Sequence, residues 1–143
     1  MLDATGSMRN YAYQLRNILQ LISDSLIGTG KWSRSDVRFG IVTFRDHPPQ
    51  DNTYIIQQYP LNSDVQAMCA SLANLVADGG GDGPEAQCDA MAAASSAGWK
   101  SNATKIAFLI TDSPPHGIGE DEDKFPAGCP FRKYSVSNLI FNS

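Results

Sequence analysis

The chain has 143 residues, 42% hydrophobic and 18% charged, which is one domain's worth with a real core. Its net charge of −4 excludes the clustered basic face of a nucleic-acid binder. Glu120, Asp121, Glu122 and Asp123 account for the imbalance, since −4 plus these four is zero. That acidic run reads as a solvated loop, and second as an extra cation site. No apolar stretch approaches the ~18 residues of a membrane helix, and the opening residues lack the pattern of a signal peptide. The compartment is therefore open.

From Met8, apolar residues recur at Tyr11, Leu15, Ile18, Ile22 and Leu26, the spacing of an amphipathic helix, and Gly28 and Gly30 end it. Val37 to Phe44, "VRFGIVTF", is β-branched or aromatic at nearly every position and predicts a strand buried on both faces. Thr53 to Tyr59 reads as a more polar edge strand. Ser63 or Asp64 can cap a second helix carrying Val65, Met68, Leu72, Leu75 and Val76 on one stripe, which stops at Gly79-Gly80-Gly81. A third helix is expected from Pro84 to about Trp99, its alanines 92–94 allowing close packing. Lys105 to Asp112, "KIAFLITD", reads as a central parallel strand that delivers a carboxylate at its C-terminal end. Strands alternating with helices indicate an α/β fold with a mostly parallel sheet.

Three cysteines, Cys69, Cys88 and Cys129, show no CxxC spacing and cannot all pair, so they read as buried or free thiols. Asn102-Ala103-Thr104 fits a glycosylation acceptor. His116 reads as a loop histidine.

In open α/β sheets ligands bind beyond the carboxyl ends of the strands. Three segments converge on such a rim: Asp3-Ala4-Thr5-Gly6-Ser7, Gly79 to Glu85, and Thr111-Asp112-Ser113. They carry the oxygen ligands Asp3, Thr5, Ser7, Asp82 and Asp112. Carboxylates and hydroxyls without His or Cys suit Mg²⁺, Mn²⁺ or Ca²⁺. Gly6 is read as permitting the turn that aims Thr5 and Ser7 at one centre.

The blocks "LDATGSM", "VRFGIVTFRDHP", "LVADGGGDGPEA" and "KIAFLITDSPPHG", in that order, resemble the successive signatures of a von Willebrand factor type A domain. The resemblance runs from Asp3 to about Pro130. It implies a Rossmann-like, doubly wound fold with a metal-ion-dependent adhesion site, Asp3, Thr5 and Ser7 forming its first loop and Asp112 its last carboxylate. It implies a non-enzymatic module that binds Mg²⁺ (or Mn²⁺ or Ca²⁺) and a protein ligand, through a carboxylate of that ligand. The family often places Thr in the middle loop, where this chain has Asp82 in a Gly-Gly-Gly-Asp-x-Pro-Glu variant. A third carboxylate holds the ion more tightly and leaves it less attractive to a partner's Asp or Glu.

An alternative is a Mg²⁺-dependent phosphotransferase or phosphatase with Asp3 as nucleophile, since Asp-x-Thr-Gly-Ser also resembles a phospho-accepting loop. Those enzymes usually need an acid or Lys beside the nucleophile, and position 4 is Ala. Gly81-Asp82-Gly83 also precedes the apolar strand it should follow.

Only Met1 and Leu2 precede Asp3, whereas a mean strand has about five or six residues. The sequence is thus expected to be a type A domain over 1–130, incomplete at both ends, with a non-matching tail over 131–143 whose one candidate strand is 138–141. A fragment, an incomplete gene model and a short splice form all fit. An incomplete sheet is expected to promote self-association.

Overall fold

The structure, a computed structural model, describes residues 1–130. The tail over 131–143, with the strand expected at 138–141, lies outside the described residues. Three strands form one sheet in the order β1 (Leu2–Asp3), β2 (Phe39–Phe44), β3 (Ile56–Asn62). Strand β1 runs parallel to β2, with Leu2 opposite Thr43 and Asp3 opposite Phe44, while β2 and β3 are antiparallel. The sheet is therefore mixed, where a mostly parallel one was expected. The short connection from Phe44 to Ile56 explains this, because it carries no crossover helix and parallel neighbours need one.

Helices α1 (Ala12–Gly28), α2 (Val65–Ala73) and α3 (Gln87–Ser95) complete the fold. Ile41 to Phe44 are all buried, as a strand with two covered faces should be. Successive side chains point to opposite faces. Ile41 joins Leu2, Met8, Leu15, Met68 and Leu72 in one apolar cluster, and Val42 and Phe44 join Ala90 and Ala93 in another. Helices α1 and α2 thus cover one face and α3 the other, where the small side chains of Ala90 and Ala93 admit Phe44.

Element boundaries shift in ways the local chemistry explains. A 3-10 turn over Gly6–Asn10 precedes α1, so the first α-helix begins four residues later than the stripe suggests. Its stripe is only partly covered: Leu15 is buried, but Ile18 is 47% and Tyr11 50% exposed. Helix α2 stops at Ala73 and leaves Val76 67% exposed. Helix α3 begins at Gln87, and the N–H groups of Glu85 and Ala86 ahead of it reach the Pro114 and Arg45 carbonyls.

The largest departure is Lys105 to Asp112. It forms no regular strand: Leu2 and Ile110 make an isolated parallel bridge, with Asp3 N–H on Ile110 O at 3.0 Å and Ile110 N–H on Met1 O at 3.1 Å. Ile106 and Phe108 are 64% and 62% exposed. An apolar run reports what a segment could bury, and no described residue covers this one beyond Ile110. The bridge still brings Thr111 onto Asp3 and Asp112 onto Ser7, with β1 flanked on both sides.

Asp64, and not Ser63, caps α2 by accepting a hydrogen bond from Ala67 N–H at 3.0 Å. Asp64→Ala should lower stability by about 1 kcal/mol, measurable as a shift in urea midpoint with unchanged m. An unchanged midpoint would show that solvent satisfies the first turn equally well.

Candidate functional site

The end of β1 and the turn after it supply the first group. Asp3, 1% exposed, accepts hydrogen bonds at Oδ1 from Thr5 N–H (2.8 Å) and Thr5 Oγ1 (2.6 Å), and at Oδ2 from Thr111 Oγ1 (2.7 Å). Thr5 Oγ1 lies 3.4 Å from Ser7 Oγ, and Ser7 Oγ donates to Asp112 Oδ1 at 2.9 Å. Asp3, Thr5, Ser7 and Asp112 therefore form one continuous chain of oxygens. Its inner end is buried, and its outer end, at Ser7 and Asp112, faces solvent.

The glycine loop is stitched onto this turn by Gly6 N–H on Gly79 O (3.2 Å) and Asp78 N–H on Ala4 O (3.0 Å). Gly79 and Gly80 have φ of +77° and +81°, a region that favours glycine. A Cβ on Gly79 would overlap the Asp51 carboxylate, and one on Gly80 would sit 2.8 Å from Glu85 Oε1. Gly6 has no positive φ, and a Cβ there would meet only Gly79 O at 3.6 Å. The close approach is thus made by Gly79 and Gly80, which corrects the role read for Gly6.

Asp82 stands in a second group with Asp46 and His116, one ligand atom of each lying within 4.8 Å of the others. Asp82 Oδ2 accepts Lys124 N–H at 2.8 Å. Burial pushes the Asp82 carboxyl up; the Lys124 N–H opposes this, and the neighbouring Asp46 carboxylate adds to it. His116 donates or accepts at both ring nitrogens, to Asp46 Oδ1 at 2.7 Å and Asp123 Oδ1 at 2.8 Å. Burial alone would lower the His116 pKa, and the two carboxylates outweigh it, so the net shift is upward.

Glu85 sits between the groups, 2% exposed. Burial first, then the negative charges of Asp46, Asp3, Asp82 and Asp51, push its pKa up to about 9. Asp46 Oδ2, Asp82 Oδ1 and Glu85 Oε2 are sealed from solvent and meet no N–H or hydroxyl donor, and Asp46 and Asp82 face each other as two carboxyl groups. Buried carboxylate oxygens without donors are costly. A divalent cation relieves that cost, and an all-oxygen donor set fits Mg²⁺ or Ca²⁺.

The von Willebrand factor type A domain family matches residues 1–115. The chain belongs to that family. It is also 30% identical over 132 residues to alpha-protein kinase vwkA of Dictyostelium discoideum, a match covering 91% of this chain and 20% of that protein. The chain thus spans about a fifth of that relative's length. Among the described residues, no helix of this von Willebrand A-type domain is long and apolar enough to cross a membrane.

Sequence reasoning missed several participants in the domain's rim. His116 is buried between two carboxylates. Asp123, assigned to a solvated acidic run, has a side chain 1% exposed and also accepts Gly117 and Phe125 N–H groups. Glu120, Asp121 and Glu122 are exposed as expected. The one available signal was chemical: His116 and Asp123 flank a glycine-rich loop with proline on both sides, which a solvated run does not need.

Proposed function

We propose that the domain is a divalent-cation-dependent protein-interaction module, without catalytic activity of its own, that holds Mg²⁺ (or Mn²⁺ or Ca²⁺) through Asp3, Thr5, Ser7, Asp82 and Asp112. Parallel neighbours on both sides of β1 support reading its layers as the Rossmann-like, doubly wound arrangement. The observation that carries the metal assignment is the oxygen chain from Asp3 to Asp112, flanked by buried carboxylate oxygens that meet no N–H or hydroxyl donor. When bound, the cation would supply positive charge at the solvent-facing end of that chain, where a protein ligand's carboxylate can reach it. Asp82, which stands with Asp46 and His116, would on reaching the ion add a third carboxylate and so trade ligand attraction for its retention.

The phosphotransferase reading is not favoured. Asp3 is almost fully buried, and both its oxygens already accept hydrogen bonds. Such a carboxylate is well placed to be a fixed ligand and poorly placed to attack phosphorus.

Saturating Mg²⁺ or Mn²⁺ should raise the melting temperature, because a ligand that binds only the native state stabilises it by about 2.7 kcal/mol at a hundredfold excess over Kd. Asp112→Ala should abolish the shift while leaving the metal-free transition almost unchanged, since Asp112 is exposed. An undiminished metal response in Asp112→Ala would overturn the assignment. Turnover of a generic phosphate ester that vanishes in Asp3→Asn would restore the alternative.

A further inference from the structure

Apart from the oxygen-lined rim, a second cluster lies deeper, where three distant chain segments meet. His47 follows β2, Cys88 and Asp89 lie in the first turn of α3, and Cys129 ends the long loop after His116. All four are buried, with 0% exposure at His47 and Cys88, 3% at Asp89 and 2% at Cys129. The His47 Nε2 to Asp89 Oδ2 distance is 3.2 Å. One ligand atom each from His47, Asp89 and Cys129 lies within 4.8 Å of the other two. The neighbouring Cys88 side chain, burial and the Asp89 side chain push the Cys129 thiol pKa up.

We propose that His47, Asp89, Cys129 and Cys88 form a structural site for one Zn²⁺-class ion. A tetrahedral ion with bonds of about 2.0–2.3 Å needs its ligand atoms about 3.3–3.8 Å apart; those of His47, Asp89 and Cys129 already lie within 4.8 Å of one another, and Cys88, beside Asp89 in the chain, would supply the fourth. One nitrogen, one oxygen and two sulfurs suit a borderline-soft cation and reject Mg²⁺ and Ca²⁺, so this site and the oxygen rim select different metals. A histidine–aspartate pair alone would explain one contact. It would not explain the Cys129 thiol brought onto that pair from a third segment, at almost complete burial.

The ion would tie the loop carrying His116, Asp123 and Lys124 to β2 and α3. That loop has no regular secondary structure through Cys129, and Phe125 packs its ring edge-on against His47 at 5.3 Å and His116 at 5.0 Å. Closing such a loop with a metal offsets its conformational entropy.

The test uses the full chain, purified without chelator and dialysed against metal-free buffer, with zinc measured by elemental analysis. About one Zn²⁺ per chain is expected. Replacement by Co²⁺ should give thiolate-to-cobalt charge transfer in the near ultraviolet and intense visible bands of a four-coordinate ion. Cys129→Ala and Asp89→Asn should each lower metal affinity at least about tenfold, while Cys69→Ala and Asp112→Ala should leave the bands intact. The wild-type spectrum decides even if a variant fails to fold. No retained zinc together with no charge-transfer band on adding Co²⁺ overturns the proposal. So do unchanged bands in a Cys129→Ala chain whose far-ultraviolet circular dichroism is native.

Discussion

Replacing His116 with alanine is expected to destabilise the domain by about 3–5 kcal/mol at pH 6, the usual cost of removing one partner from a buried charge pair. The imidazole is wedged between Asp46 and Asp123 with both nitrogens engaged and no side-chain exposure. Its loss removes the positive charge and the ring contacts shared by two carboxylates. Asp123 would still hold the Gly117 and Phe125 N–H groups and Asp46 the N–H of His47, which keeps the loss below that of a bare buried charge.

The same pair sets a pH dependence. The folded pKa of His116 lies above its ordinary 6.5. Its contribution is therefore complete below about 6.5 and is lost as the pH rises through the folded value. Asp123 has the opposite sense. Burial opposes its ionisation, yet the N–H of Gly117 and the His116 ring outweigh this and hold its carboxyl below the ordinary 3.8. Its contribution is present above 3.8 and fades as the pH falls through the lower folded value. Urea midpoints between pH 5 and 9 in Mg²⁺-free buffer should decline for the wild type above neutrality, and this decline should shrink in His116→Ala. Parallel profiles would mean that folding leaves the His116 pKa unchanged.

What was legible in the sequence followed from periodicity and from residue chemistry at strand ends. Ile41 to Phe44 announce a strand with two covered faces because every position is apolar or β-branched, and Ser63-Asp64 announces a cap because either side chain can accept the next turn's N–H groups, the choice of Asp64 coming only from the structure. The bringing together of Asp3, Thr5, Ser7 and Asp112 was readable because all four sit where the sheet hands its chain to loops. The exposure of Lys105 to Leu109 was not readable, since composition reports apolarity and cannot count the neighbours that would cover it. The role of Gly79 and Gly80 was also hidden. Which of several glycines must pass close to a carboxylate depends on Asp51 and Glu85, residues supplied by other segments. Asp82 shows the same limit: its neighbours Asp46 and His116 are 36 and 34 positions away, and no local pattern announces them.

Glu85 carries the second large effect. Its carboxyl is buried beside Asp3, Asp46, Asp51 and Asp82, Oε2 meets no hydrogen-bond donor, and its pKa rises from 4.5 to about 9. The metal-free folded state therefore keeps a proton on Glu85 that the unfolded chain releases near 4.5. The unfolded state binds fewer protons across this window, so stability falls as the pH rises. This contribution is complete below 4.5 and has been lost once the pH passes about 9. Glutamine keeps the shape and removes the ionisation. Glu85→Gln should thus match the wild type at pH 4 and exceed it at pH 8, with a melting temperature higher by at least about 5 °C in Mg²⁺-free buffer. A cation at the proposed rim would favour the ionised Glu85, so Mg²⁺ should narrow the difference at pH 8 by stabilising the wild type more than the variant. A Glu85→Gln chain no more stable than the wild type at pH 8 would mean that water reaches Oε2 and that the carboxyl ionises in place. A difference that Mg²⁺ leaves untouched would instead place the cation away from Glu85, toward the exposed side chains of Ser7 and Asp112.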